Sequence, residues 1–382
     1  MISCSMRKRT IEFYRHNLTS KDKNACLKIL DSIFLTTGEA VKTFEQKFAD
    51  YMGAKYCVGL SSCTDALFLS LKYFGIGPGE EVVTTVFSFA ATSNPIEHCG
   101  AKTVFVDVEK DTGNIDANLI EKAITPRTRA IIVVHLYGLM CDMKKIHSIA
   151  KKHNLKVIED CAHCIEGMRD GVRPGQLGDI ACFSFYATKT ITSGEGGAIT
   201  TNDAKAYEWL LRARLHGMHK NAVDRYSKRY EPNNMEFLGY KCNMTNIAAS
   251  LLLGQLERIQ SLLKKRELIA KLYHHGFAKN PRVQTPATAP NSVHARYLFT
   301  IWVDPRKRNE YISKLQDAGI RVSVHFMPIS LLTYYKKKYG HKRGDFPVAE
   351  KIGDSTISLP FYPKLTAKEI RYIIDSVKAI IR

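Results

Sequence analysis

Short apolar runs alternate with segments of helical spacing through the first 200 residues of the chain. The strand-like runs cover residues 56–60, 81–85, 103–106, 130–134, 156–158, 181–185 and 197–201. Between them, apolar residues recur at helical spacing, as over 44–52 and 143–152. This alternation predicts an α/β fold with a large, mostly parallel sheet covered by helices on both faces.

The later part of the chain has a different pattern. Residues 246–274 predict one long helix, and the proline-rich stretch 281–286 is typical of a junction. Thr366 and Glu369 have the spacing of a capping box that opens the last helix. Strand and helix patterns at 296–303, 307–318 and 321–324 predict a smaller C-terminal α/β domain. We therefore expect a large domain over 1–245, a connecting helix over 246–280 and a small domain over 281–382.

Composition and charge exclude several classes of protein. Apolar residues make up 45% of the 382 residues, which is ample for a core, and no apolar run is long enough to span a membrane. Residues 1–9 are basic but no apolar segment follows them, so we expect no secretion signal and a cytoplasmic location. The net charge of +19 invites a nucleic-acid hypothesis. However, the lysines are spread over helix faces without a nucleic-acid motif, so we expect no nucleic-acid partner.

The 10 cysteines are scattered, mostly in apolar or strand-like contexts. Reduced thiols packed as small apolar side chains are the expected state in a cytosolic protein. Cys161 and Cys164 have the CxxC spacing of zinc and redox sites, but a structural zinc site requires a second ligand pair. The sequence offers no such pair, so we predict no metal.

Lys189 follows the aromatic run 182–186 and precedes the glycine-rich segment 193–197. Burial among aromatic side chains disfavours the ammonium form, and the neutral amine is the form that attacks a carbonyl to give a Schiff base. Glycines allow the backbone to approach a bulky ligand. Taken alone, Lys189 is explained equally well as a lysine whose stem packs on apolar surface while its amine reaches water.

Asp160 ends the apolar run 155–158 together with Glu159, at the carboxyl end of a predicted strand. Open α/β sheets bind their ligands at this edge. A pyridoxal phosphate enzyme needs a lysine for the Schiff base and an acid that keeps the pyridine nitrogen protonated. A strand-end acid is also explained as a helix cap, so the pair is more informative than Asp160 alone.

The segment 59–67 predicts a strand, a small polar turn and then a helix. Backbone amides at such a helix start bind anions, and the Thr64 hydroxyl is placed to assist them. Ordinary capping by serine or threonine is the alternative. The order of phosphate turn, acid and lysine along the chain favours the cofactor hypothesis.

These segments carry a family resemblance. Residues 61–67, 82–92, 133–142, 157–167 and 183–197 resemble the DegT/StrS-type sugar aminotransferases. The resemblance extends from 34–38 to 358–363 and so covers almost the whole chain. It implies a pyridoxal phosphate enzyme of fold type I that aminates keto sugars.

The resemblance also implies roles for individual residues. Lys189 matches the Schiff-base lysine, Asp160 the partner of the pyridine nitrogen, and Phe89 the aromatic ring that stacks on the cofactor. His163 stands where the family has glutamine or histidine against the cofactor. The remaining cofactor-binding positions are Cys63, Thr64, Asp65 and Ser184 around the phosphate, and Asn243, which reaches the phosphate from the second subunit of a homodimer with shared active sites.

Three positions depart from the family pattern. Asn246 stands where the family usually carries an acid, and Cys63 and Asp65 replace smaller residues. These changes affect the detail of the phosphate site. The retained Lys189 favours transamination over the dehydration that relatives with histidine at this position perform.

The resemblance implies a nucleotide-linked keto sugar as amino acceptor and L-glutamate as donor, with 2-oxoglutarate as the second product. The segments 35–38 and 358–360 look most like enzymes that aminate C4 of a UDP- or dTDP-sugar. His325 and Tyr186 are the candidate substrate residues, although a packing role explains His325 equally well. Amination at C3, a GDP-perosamine-type synthase, a cyclitol aminotransferase, a dehydratase and a non-enzymatic sensor remain alternatives.

Overall fold

The computed structural model describes residues 10–218 and 234–382. Seven strands form its main sheet: β1 (Tyr56–Leu60), β2 (Glu81–Thr85), β3 (Lys102–Val106), β4 (Thr128–Val134), β5 (Lys156–Asp160), β7 (Ile180–Ser184) and β8 (Gly197–Thr201). Their spatial order is β1, β8, β7, β5, β4, β2, β3. Only β8 runs antiparallel to its neighbours, so the prediction of a mostly parallel sheet is confirmed.

Helices cover both faces of this sheet because its strands are apolar on both sides. Neighbouring residues of one strand enter different cores: Ile132 and Ile158 belong to one cluster, and Ile131 and Val157 to another. The helices around the sheet are α1 (Ser20–Leu30), α2 (Glu39–Met52), α3 (Cys63–Tyr73), α4 (Asn94–His98), α5 (Ala117–Ala123), α6 (Met143–Lys152), α7 (Ala204–Ala213) and α8 (Asn246–Glu257).

The prediction of one long helix over residues 246–274 is wrong in one respect. The segment folds as two helices, α8 and α9 (Ile259–Phe277), and Arg258 between them leaves the helical conformation. The Arg258 guanidinium pairs with Asp22 of α1 and donates to the Asn17 carbonyl. A partner so distant in the sequence leaves no trace in the local pattern of apolar residues.

A separate core lies in the C-terminal part of the chain and includes Tyr273, Ile301, Ile357 and Ile373. This core is formed by the antiparallel pair β10 (Phe299–Trp302) and β11 (Thr356–Leu359) with α9, α10 (Arg308–Asp317) and α13 (Ala367–Ile380). The helices α11 (Thr333–Tyr339) and α12 (Pro347–Ser355) pack in another core, together with Phe87 and Tyr297. A two-residue pair, β6 (Met168–Arg169) and β9 (Ser292–Val293), links the two parts of the chain. The predicted capping box is present at the start of α13.

Two features of this part were not predicted. The expected strand at 321–324 is wrong: Ser323 makes only an isolated bridge to Ser358. Ile11, near the other end of the chain, packs in this C-terminal core and pairs with Ile320. Among the described residues, no helix is long and apolar enough to cross a membrane.

Candidate active site

A cavity of about 570 Å³ opens at the carboxyl ends of three adjacent strands. Val134, Asp160 and Ser184, which line it, are the last residues of β4, β5 and β7. This is the edge where open α/β sheets bind ligands. Nine of the eleven predicted site residues line the cavity: Cys63, Thr64, Phe89, Asp160, His163, Ser184, Tyr186, Lys189 and His325.

Asp160 is the buried acid of the cavity, with 4% of its surface exposed. The Thr92 hydroxyl donates to Oδ2 at 2.8 Å and the Ala162 amide donates to Oδ1 at 3.1 Å. Burial raises the pKa of Asp160, and the two hydrogen bonds oppose that rise. A cation inside the cavity would therefore be a strong partner for this carboxylate.

A second buried acid, Glu159, fixes the end of β5 from the other side. Its carboxylate lies 2.8 Å from His135 Nε2 and accepts the amides of Gly175 and Gly178 at 3.1 and 2.8 Å. The Cys141 amide donates to His135 Nδ1, so the imidazole proton is on Nε2 and points at Glu159. Cys161 Sγ lies within metal-ligand spacing of both groups, but hydrogen bonds already occupy both carboxylate oxygens.

Lys189 lies in the loop after β7, half-buried, with its amide bound to the Tyr186 carbonyl at 2.9 Å. Two of the aromatic residues just before it do not contribute to its surroundings. Phe183 and Phe185 point into a core under the sheet, where they pack on Phe48. The ring over which Lys189 Nζ lies is that of Tyr297, 4.3 Å from the ring centroid, and sequence reasoning missed this residue.

His163 and Phe89 present rings to the cavity from different segments. His163 is buried, and burial lowers the pKa of its imidazole well below the usual range. Its Nδ1 accepts the Tyr137 amide at 3.3 Å, which leaves the proton of the neutral ring on Nε2. Phe89 is 63% exposed, an unusual state for a phenylalanine beside a cavity.

The predicted phosphate turn forms the start of α3. Ser62 caps the helix, with its hydroxyl accepting the Asp65 amide at 3.0 Å. The Asp65 carboxylate accepts the hydroxyls of Ser61 and Ser62 and does not line the cavity, whereas Thr64 does. A Cβ on Gly197 would lie 2.3 Å from the backbone of Ser62, so this glycine serves the close packing of β8 against the turn.

His325 and Tyr186 also line the cavity, together with Phe13, whose ring stacks on His325 at 5.6 Å. His325 Nδ1 lies 2.8 Å from the Ser358 hydroxyl. Burial, and next the nearby charge of Lys189, lower the pKa of His325 to about 4. A neutral imidazole at this position can form hydrogen bonds with polar groups of a ligand.

The predicted site residue Asn243 lies outside the cavity of its own chain. Its amide nitrogen donates to Thr37 Oγ1 at 2.6 Å, and its oxygen accepts from Lys241.

The buried thiols of Cys161 and Cys164 both have pKa values raised by burial, which keeps them protonated.

The profile of the DegT/DnrJ/EryC1/StrS aminotransferase family matches residues 16–378. The chain belongs to this family. The predicted resemblance, the fold type and the aminotransferase activity are thereby confirmed: the chain is a pyridoxal phosphate-dependent sugar aminotransferase.

Relatives of this aminotransferase cover nearly its full length. The spore coat polysaccharide biosynthesis protein SpsC of Bacillus subtilis is 42% identical over 92% of each chain. The dTDP-3-amino-3,6-dideoxy-alpha-D-galactopyranose transaminase of Aneurinibacillus thermoaerophilus is 38% identical over 93% of this chain and 94% of its own. The putative sugar aminotransferase Spr1654 of Streptococcus pneumoniae, solved in its PMP-form, superposes with a TM-score of 0.91 at 32% identity, over 97% and 98% of the two chains.

The cavity of this aminotransferase fits pyridoxal 5'-phosphate, the cofactor of the family. It combines a primary amine, a buried carboxylate, an exposed phenylalanine ring and a helix start with hydroxyl groups. Each element suits one part of the cofactor: aldehyde, ring nitrogen, ring face and phosphate. When bound, the cofactor supplies the electron sink that stabilises a negative charge on the substrate carbon.

Proposed function

We propose that this enzyme moves the amino group of L-glutamate to a nucleotide-linked keto sugar and releases 2-oxoglutarate. The observation that carries the proposal is that Lys189, in the loop after β7, and Asp160, at the end of β5, line one cavity at the sheet edge. The amine of Lys189 would bind the cofactor and then move a proton to and from the substrate carbon. Asp160 would hold the ring nitrogen in its protonated state.

The other site residues serve cofactor binding in this proposal. Phe89 and His163 would hold the cofactor ring. The start of α3, with Cys63, Thr64, the Asp65 amide and Ser184, would hold the phosphate. His325 and Tyr186 border the sugar.

We propose C4 of a UDP- or dTDP-linked sugar as the acceptor carbon, and cell-surface glycan or lipopolysaccharide synthesis as the purpose. The segments 35–38 and 358–360 support the position, and the name of the relative SpsC supports a role in surface polysaccharide synthesis. Amination at C3 is the second candidate, favoured by the name of the dTDP-3-amino sugar transaminase.

A substrate panel tests the acceptor. Purified enzyme is incubated with L-glutamate and UDP-, dTDP- or GDP-linked 4-keto and 3-keto sugars, and products are read by mass and by NMR of the aminated carbon. A 4-amino product from a UDP- or dTDP-sugar supports the proposal. Preferred turnover of a 3-keto sugar or a GDP-sugar overturns the proposed position or nucleotide.

Reductive trapping tests the role of Lys189. Borohydride should fix the cofactor to Lys189, as read from the mass of the tryptic peptide. Lys189→Ala should remove this adduct and reduce turnover below detection, whereas the matched change Lys205→Ala, at an exposed position of α7, should leave the adduct in place. The reduced cofactor on another lysine would contradict the assignment.

We further propose a cytoplasmic homodimer with shared active sites. The exposed apolar side chains Ile33 (90% exposed) and Leu238 (84%) are costly in water and suit an interface. A twofold dimer is the commonest assembly. In this proposal Asn243, which lies outside the cavity of its own chain, reaches the phosphate of the partner's site in place of its contacts with Thr37 and Lys241. The free thiols of the described cysteines suit a reducing compartment.

A further inference from the structure

Tyr297 lines the cavity and contacts two residues of the proposed site. Its ring centroid lies 4.3 Å from Lys189 Nζ and 4.3 Å from the centroid of the His163 ring, which stacks on it at 28°. The side chain is buried, with 7% of its surface exposed. One aromatic ring therefore touches both the amine and the imidazole.

The position of this ring is fixed at both ends of the residue. The Tyr297 hydroxyl lies 3.1 Å from Thr188 Oγ1, next to Lys189 in the chain. The Tyr297 amide donates to the Tyr137 carbonyl at 3.0 Å. Because Tyr137 also donates its amide to His163, the ring and the imidazole share one anchoring residue.

The backbone before Tyr297 is held equally firmly. The Ala295 amide donates to the Gly138 carbonyl at 2.7 Å, and a Cβ on Gly138 would lie 2.9 Å from the Arg296 nitrogen. Arg266, paired with the buried Glu166, donates to the Ala295 carbonyl at 3.2 Å. These contacts leave the ring little freedom to move away from Lys189.

We propose that Tyr297 is a positioning residue, whose ring face holds the Lys189 amine beside the reacting atoms whenever that amine is free. The face of an aromatic ring attracts an ammonium group electrostatically. A lysine without this contact distributes its four-carbon stem over many rotamers. The inference rests on the role proposed above for Lys189 and adds a residue that keeps its amine in reach.

Three variants at position 297 separate the electrostatic effect of the ring from its shape. Tyr297→Phe keeps the ring face and loses only the hydroxyl. Pentafluorophenylalanine incorporated at position 297 keeps the ring size but withdraws negative charge from its face, and Tyr297→Leu removes the ring. Tyr334→Leu, at an exposed tyrosine outside the cavity, is the matched control.

The first measurement uses enzyme freed of cofactor, so that it depends on no substrate. The rate at which cyanate modifies Lys189 is compared by mass spectrometry with that of exposed lysines in the same sample. Loss of a cation–π contact should increase this rate about 2- to 30-fold in the pentafluoro and leucine variants. The phenylalanine and control variants should stay within about 2-fold of wild type, because their ring face at position 297 is intact.

The second measurement is the glutamate half-reaction of the holoenzyme. Its rate constant should fall about 10-fold in the pentafluoro and leucine variants while the half-saturating glutamate concentration stays nearly constant, and phenylalanine should restore it. Equal behaviour of pentafluorophenylalanine and phenylalanine in both measurements would overturn the proposal. So would a change in labelling without a change in rate. A wild-type enzyme without any half-reaction would instead contradict the proposed function and leave the labelling test valid.

Discussion

At the scale of single residues, Asp160 shows how burial and function are linked. A carboxylate with so little exposed surface is costly unless it is well paired, and in the described chain it accepts hydrogen bonds from Thr92 and Ala162 and a weaker one from the Cys63 thiol at 3.9 Å. The pairing that completes it has to come from the cavity. Thr92, which donates one of these hydrogen bonds, is itself bound to Ser88 at 2.9 Å.

Replacing Asp160 by asparagine should therefore slow the chemistry more than it weakens cofactor binding. The amide keeps the shape and can still accept the Ala162 amide through its oxygen, but it no longer accepts at both atoms and it lacks the charge that favours a protonated ring nitrogen. We expect the rate of the glutamate half-reaction, followed by stopped-flow absorbance, to fall at least about 100-fold. The cofactor dissociation constant should change by less than about 10-fold. An unchanged rate would contradict the role given to Asp160, and Asp375→Asn, at an exposed position of α13, is the matched control.

His325 predicts a pH dependence of stability. Because the folded-state pKa of about 4 lies below that of a free histidine, the unfolded chain binds more protons between these values. The contribution of His325 to the free energy of unfolding is therefore fully present above pH 6.5 and is lost as the pH falls. At pH 5 the loss from this one group is about 2 kcal/mol.

A comparison of melting temperatures checks this sign. Between pH 7 and pH 5, the melting temperature of cofactor-free wild type should fall more steeply than that of His325→Gln. The surface variant His98→Gln should follow wild type. Parallel curves for wild type and His325→Gln would show that His325 does not carry the effect.

At the scale of elements, the strands were predictable because their apolar runs are bounded by polar turns. The bounds of β1, β2 and β8 agree with the sequence prediction, as does the helix α6. The break at Arg258 was not predictable, because its cause is an ion pair with a residue of another helix. The same holds for the site: Lys189 and Asp160 stand in recognisable local motifs, but Tyr297 reaches Lys189 only through the tertiary fold.

The close packing of β8 against the start of α3 depends on the absence of a side chain at Gly197. In Gly197→Ala the new methyl group would collide with the backbone of Ser62 and Cys63, which cannot move as a flexible side chain does. We expect a loss of about 1–3 kcal/mol of stability, seen as a lower melting temperature, and weaker cofactor binding because the phosphate turn shifts. In Gly77→Ala the nearest atom lies at 3.7 Å, so its melting temperature should stay close to wild type. Equal effects of the two changes would refute this explanation.

At the scale of the whole molecule, the cavity lies between two hydrophobic cores: one supplies Cys63 and Leu67 beside the sheet, and the other supplies Tyr297 and Phe326 of the C-terminal part. The domain bounds of 1–245, 246–280 and 281–382 stay a prediction. Residues before the first helix contribute as well, since Phe13 lines the cavity and Ile11 lies in the C-terminal core.

The proposed shared site predicts complementation between two inactive variants. Lys189→Ala removes the amine of its own cavity, and Asn243→Ala removes the residue offered to the partner's cavity. In a mixed dimer one cavity receives neither change, so about a quarter to a half of wild-type activity should return. Co-expression with two affinity tags isolates the mixed dimer. A mixed dimer as inactive as its parents would argue for sites built within one subunit, and a monomer in sedimentation would contradict the assembly.

The pairing of Ile11 with Ile320 also has a consequence for biosynthesis. A ribosome that adds roughly 5–20 residues per second delivers residue 320 on the order of 15–60 s after residue 11. Throughout this interval the backbone of Ile11 lacks the segment around Ile320 with which it pairs, and the Phe13 ring lacks the His325 ring on which it stacks. The cavity wall is completed only when nearly the whole polypeptide has been translated, so prematurely terminated chains are released with an incomplete active site.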